Sequence, residues 1–129
     1  MSNQFDGKKI LIFGGSGFIG RYLISKLSKY TCSIEIVTRK DNKYKELKFL
    51  GGLGQVNIKT CYNYNEEAVN ELTMNADIVF NLIGVLFEKK SASFNKVHSE
   101  IPRMIAKSCK LHDVKKFIHL SALGVNKNF

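Results

Sequence analysis

The chain has 129 residues, of which 20 are Lys or Arg and 11 are Asp or Glu, and its formal net charge is +9 with 44% hydrophobic content. That length fits one domain, residues 1–129, with room for a core but at the lower edge for a complete doubly wound enzyme. No run approaches the roughly 18 apolar residues of a membrane span. The amino-terminal MSNQFDGKK has no signal-peptide apolar stretch, so a cytoplasmic protein is expected.

Cys32, Cys61 and Cys109 are odd in number and far apart, which argues against a disulfide framework and against zinc. Free, mostly buried thiols are expected. His98, His112 and His119 form no ligand cluster either, so no metal site is assigned. The positive charge raises a nucleic-acid reading. Against it, lysines are scattered through every segment, and the clusters Arg39 to Lys48 and Lys115 to Lys116 lack interleaved aromatics or a recognition helix. An anionic cofactor, an acidic partner or an anionic lipid headgroup is each compatible with the charge.

The first element is the most informative. Lys8 to Phe13 reads as a buried strand, a glycine cluster follows at once, and Tyr22, Leu23, Ile24 and Leu27 then continue with helical spacing. This is the pattern of a dinucleotide-binding strand-turn-helix, with Gly14, Gly15, Ser16, Gly17, Phe18, Ile19 and Gly20 as the candidate phosphate cradle. Gly14, Gly17 and Gly20 fit one spacing variant, and Gly15, Gly17 and Gly20 fit another. Both work by the same physics: glycines let the backbone turn sharply and approach a pyrophosphate, and the helix N-terminus offers free N–H groups. The plain alternative is a tight loop joining a strand to a helix.

Ser33 to Thr38 supplies the second strand, followed by a basic turn from Arg39 to Lys43 and a short helix to about Leu50. Gln55 to Thr60 is a third strand. Asn65 to Met74 is a helix that Asn65 can cap. Ala76 to Ile83 is a fourth strand, apolar throughout and so buried on both faces. Ser91 to Leu111 is helical but contains Pro102, which costs about 3 kcal/mol in a helix interior. A bend near His98 to Pro102, or a helix beginning at Ser99, is therefore expected. Lys115 to Leu120 is the fifth strand. The alternation predicts an α/β doubly wound parallel sheet of order 3-2-1-4-5, a Rossmann fold.

GGSGFIGRYL, ADIVFNLIG and FIHLSALG together resemble the extended and atypical short-chain dehydrogenase/reductase superfamily. The similarity is greatest to the branch that contains the nucleotide-binding accessory subunit of respiratory complex I (NADH:ubiquinone oxidoreductase) and its bacterial relatives, of which this chain matches the N-terminal part. Val97 and His98 through Ile105 are similar to that branch's proline-containing helix. The resemblance implies that Asn81, Leu82, Ile83 and Gly84 line the cofactor. It also implies association with complex I, and with that a peripheral position at the inner membrane.

Cofactor preference is argued at the end of the second strand. An NAD site usually carries an acid about 20 positions past the glycine turn. Here Thr38, Arg39 and Lys40 stand there, suiting the 2′-phosphate of NADP(H), with NAD(H) the alternative and Asp41 too late to substitute easily. A solvated basic loop would read the same way. Arg21, in the first helical turn, either meets a phosphate or points to solvent.

The superfamily's catalysis needs a serine after strand five and a downstream Tyr-x-x-x-Lys. Ser121 matches the serine, and it equally suits a structural residue ending the strand. Tyr22 to Lys26 and Tyr44 to Lys48 have the second spacing but fall on early helices, and are discounted. Tyr62 and Asn63 stand about where the family contacts adenine, without the acid usual there. The apolar fifth strand, as a sheet edge, invites pairing, including a homodimer through that strand. The reading is thus an NAD(P)-binding module with a structural or regulatory nucleotide. The alternative is the N-terminal part of an NAD(P)-dependent reductase or epimerase.

Overall fold

The computed structural model describes residues 4–14, 17–39, 41–83 and 100–120, with the backbone alone for 41–45. Five strands, β1 (Lys9–Phe13), β2 (Ser33–Thr38), β3 (Val56–Thr60), β4 (Ile78–Asn81) and β5 (Lys116–His119), form one sheet in the order β3-β2-β1-β4-β5. All four pairings are parallel. This is the expected doubly wound sheet. Among the described residues its helices are α1 (Phe18–Leu27), α2 (Glu66–Thr73) and α3 (Ile101–Leu111), with a 3₁₀ helix over Asp41–Leu50.

Alternation along β1 explains the layering. Ile10 and Ile12 pack with Ile24 and Leu27 of α1 and Leu47 of the 3₁₀ helix. Leu11 and Phe13 pack on the opposite face with Val69 of α2 and Ile105 and Cys109 of α3. Successive strand side chains point to opposite faces, so a central strand covered on both sides must be apolar at every buried position. The edge strands β3 and β5 are only partly buried.

Several boundaries follow local chemistry. Asn65 caps α2, its Oδ1 accepting the Ala68 N–H at 2.8 Å, as the sequence suggested. Asn65→Ala should cost about 0.5–2 kcal/mol in urea denaturation, because it orphans that donor. An unchanged unfolding midpoint would show the cap to be dispensable. Pro102 sits in the first turn of α3, where its missing N–H has no partner to lose, so the described helix begins at Ile101 without an internal break. The segment before Leu50 is 3₁₀ rather than α-helical. Its three-residue turn stacks Leu47 and Leu50, both of which meet the core.

Candidate functional site

The carboxyl ends of β1, β2, β4 and β5 lie side by side, and α1 begins there. β1 ends at Phe13, and Gly14 turns the chain with a φ of +79°, in the left-handed region. Gly14 N–H donates to Val37 O at 2.9 Å, while Leu82 N–H donates to Phe13 O at 2.8 Å, so the turn is tied to both neighbouring strands. A Cβ on Gly14 would stand 3.0 Å from Ile83 N and 3.1 Å from Ile83 Cα. Conformation and close approach both demand glycine here.

Gly17 is the N-cap of α1, with extended backbone at φ −85° and ψ −171° that any residue can adopt. Among the described residues no side chain caps the helix, and its first turn has no acid. Arg21 N–H closes the first helical bond to Gly17 O, leaving earlier N–H groups without an intrahelical acceptor. Phe18 is exposed, Ile19 half-buried and Gly20 buried.

Arg21 meets neither expectation. Its Nη2 donates to Glu46 Oε2 at 2.7 Å, joining α1 to the 3₁₀ helix across 25 positions of sequence. That hydrogen bond holds the Glu46 carboxyl below its ordinary pKa. Both groups are well exposed, so the pair contributes little to stability. Periodicity could not have found it, because the partner lies on a different element.

At the end of β2 the Thr38 hydroxyl is buried and has no hydrogen-bond partner among the described residues. Arg39 follows it, exposed and without an ion pair among the described residues. Burial, and after it Cys61, pushes the pKa of the Tyr64 phenol up, and the positive charge of Arg39 offsets only part of that rise. Tyr64, which the sequence did not single out, packs its ring 6.1 Å from Phe13. Tyr62 is exposed, and the Asn63 carbonyl accepts from Cys61 Sγ at 3.4 Å. The three thiols are buried and free, and burial raises Cys109 to about 11.

Asn81 ends β4. Its side chain is fully buried, and its Oδ1 accepts the Ile83 N–H at 3.1 Å just past the end of the strand, which was expected to run to Ile83. Its Nδ2 lies 2.9 Å from His119 Nδ1. Sequence reasoning weighs His119 only as a metal ligand and so misses this contact. The usable signal is that FNLIG and FIHLS both close strands at the same end of the sheet.

The structure thus brings together Gly14, Gly17, the start of α1, Thr38, Arg39 and Asn81 to Ile83. Gly15, Ser16, Lys40, Gly84 and Ser121 lie outside the described residues. Tyr22 and Lys26 sit on an exposed part of α1, with the ammonium 5.3 Å from the ring centroid, and Tyr22 is 60% exposed. Among the described residues no helix is long and apolar enough to cross a membrane.

The model of the NAD dependent epimerase/dehydratase family matches residues 10–125. The mitochondrial NADH-ubiquinone oxidoreductase 40 kDa subunit of Neurospora crassa is 33% identical over 126 residues, which is 98% of this chain. The chain spans 34% of that relative's length. Among solved structures, Pen from Bacillus thuringiensis superposes with a TM-score of 0.72 at 20% identity, covering 91% of this chain and 38% of that one. A short-chain dehydrogenase/reductase from Veillonella parvula in complex with NADP gives 0.65 at 18% identity, covering 91% and 48%.

Proposed function

The chain belongs to the NAD dependent epimerase/dehydratase family, and from that premise we propose that it is a nicotinamide-dinucleotide-binding module that prefers NADP(H) and uses the nucleotide structurally or as a regulator. The observation that carries the preference is the end of β2. Among the described residues a guanidinium with no ion pair, Arg39, follows a buried hydroxyl with no partner, Thr38, and the acid expected of a plain NAD site is absent. Arg21, by contrast, is already paired with Glu46 and does not compete for the phosphate.

The residues fit a dinucleotide. Gly17, at the N-cap of α1, carries no Cβ and so would let a pyrophosphate approach the backbone there. The uncapped start of α1 would offer N–H donors to the pyrophosphate. Arg39 would hold the 2′-phosphate in charge-assisted hydrogen bonds, with Lys40 beside it. Leu82, tied to Phe13, and Ile83, held by Asn81, would form the wall beside the glycine turn. The bound nucleotide supplies hydride chemistry where a substrate site completes it. In this reading the residues of the chain bind and orient it.

The Neurospora relative's name makes it a subunit of a mitochondrial NADH-ubiquinone oxidoreductase. We extend that to this chain as a proposal: it serves such a complex as a bound nucleotide module. The second reading, part of a reductase or epimerase, draws on the description of the matching family as NAD dependent epimerase/dehydratase. In it, Ser121 would orient a carbonyl beside groups from elsewhere.

Calorimetry on the purified chain with NADPH, NADH, AMP and a DNA duplex tests both. NADPH should bind at least about tenfold more tightly than NADH, and the duplex not at all. Equal affinities would refute the NADP preference. Absence of binding to either cofactor would refute the module itself, and oxidation of NADPH with a carbonyl substrate would favour the enzymatic reading.

A further inference from the structure

Asn81 and His119 are direct partners in the parallel pairing of β4 and β5. Opposite residues in such a pair project from the same face, so the two side chains meet. The hydrogen bonds around Asn81 then identify every atom. The Ile83 N–H can only donate, so the amide atom facing it is Oδ1. The other amide atom, Nδ2, is a pure donor and faces His119 Nδ1 at 2.9 Å. Nδ1 must therefore accept. A neutral ring with its proton on Nε2 satisfies this, whereas neither the Nδ1–H tautomer nor the imidazolium can.

Asn81 is fully buried, so each of its polar atoms needs a partner. If His119 stopped accepting, Nδ2 would be stranded. The amide would gain by turning over, and the Ile83 N–H would lose Oδ1. Ile83 is the residue whose backbone closes on Gly14. The tautomer of an exposed imidazole is thereby linked through one amide to the glycine turn. Among the described residues His119 has no ion pair, and the other group against its ring is Phe117, 6.5 Å away between centroids.

We propose that His119 is a positioning residue of the nucleotide site: its Nδ1 fixes the Asn81 amide, and Asn81 fixes Ile83 against the turn at Gly14. This rests on the nucleotide-binding reading above.

The test uses the full chain. Long-range proton–nitrogen spectra at alkaline pH should show the His119 proton on Nε2. In Asn81→Asp, whose carboxylate only accepts, a proton should appear on Nδ1. NADPH affinity should fall about tenfold in His119→Phe, which keeps a ring without the acceptor, and stay within about threefold of wild type in His119→Gln, which restores one. A wild-type ring protonated on Nδ1 overturns the positioning role and leaves the nucleotide reading standing. So does a natively folded His119→Phe variant that binds NADPH as well as wild type. A wild-type chain that binds neither NADPH nor NADH overturns the nucleotide reading, and the positioning role falls with it.

Discussion

Gly14→Ala should destabilise the chain by about 2–5 kcal/mol, the sum of a left-handed backbone penalty for a residue with a Cβ and the strain of inserting that atom into a packed site. The first contribution follows from the φ of +79°. The second follows from Ile83, whose N and Cα would lie 3.0 and 3.1 Å from the new atom. Backbone cannot swing aside as a side chain can, and Ile83 is held by Asn81. Gly54 supplies the control. It has a φ of +74°, but a Cβ there would meet nothing within 4 Å, so Gly54→Ala should show only the backbone penalty, about 1–2 kcal/mol. Urea denaturation of the two variants separates conformation from contact. Equal losses would mean that the approach of Ile83 to the turn is not a constraint on stability.

Arg39→Ala should weaken NADPH binding by about 1.5–3 kcal/mol, the range for a hydrogen bond to a charged group. NADH affinity should change by less than about threefold, because NADH has no 2′-phosphate for the guanidinium to meet. The effect should shrink as salt rises, since Arg39 is exposed and its charge is screened. Calorimetry at two ionic strengths reads all three. A variant that loses NADPH and NADH affinity equally would show that Arg39 supports the fold of the β2 end rather than recognising a phosphate. The opposite result, retained NADPH preference, would move the recognition to Lys40 or away from this turn.

Much of the scaffold was written locally. The unbroken apolar run of β1 specified a central strand because both of its faces are covered. Asn65 announced the start of α2 because an Asx side chain and the third N–H beyond it lie within one turn. Pro102 lies in the first turn of α3, where its lack of an N–H is harmless, while His98 and Ser99, where a bend or a helix start was expected, lie outside the described residues. The glycine cluster pointed to the turn after β1, yet its spacing fitted two registers. Gly14, one of the two candidates for the turn glycine, has left-handed backbone, and Gly15, the other, lies outside the described residues.

What the sequence determined by itself was therefore the order of the described strands and helices, the parallel sheet, and the end of the sheet where the glycine turn and the basic turn gather. These depend on periodicity, capping and chain stiffness, which act over one or two turns of chain. Tertiary structure alone decided which polar groups would meet. Arg21 found Glu46 across 25 positions, and Asn81 found His119 across 38. Such pairs are set by strand register and helix docking, so a residue's chemistry announces what it can bond to without saying which partner will be there. The same holds for Thr38, whose hydroxyl is ordinary in the sequence and becomes informative only when the fold buries it, beside Arg39, with no donor or acceptor among the described residues.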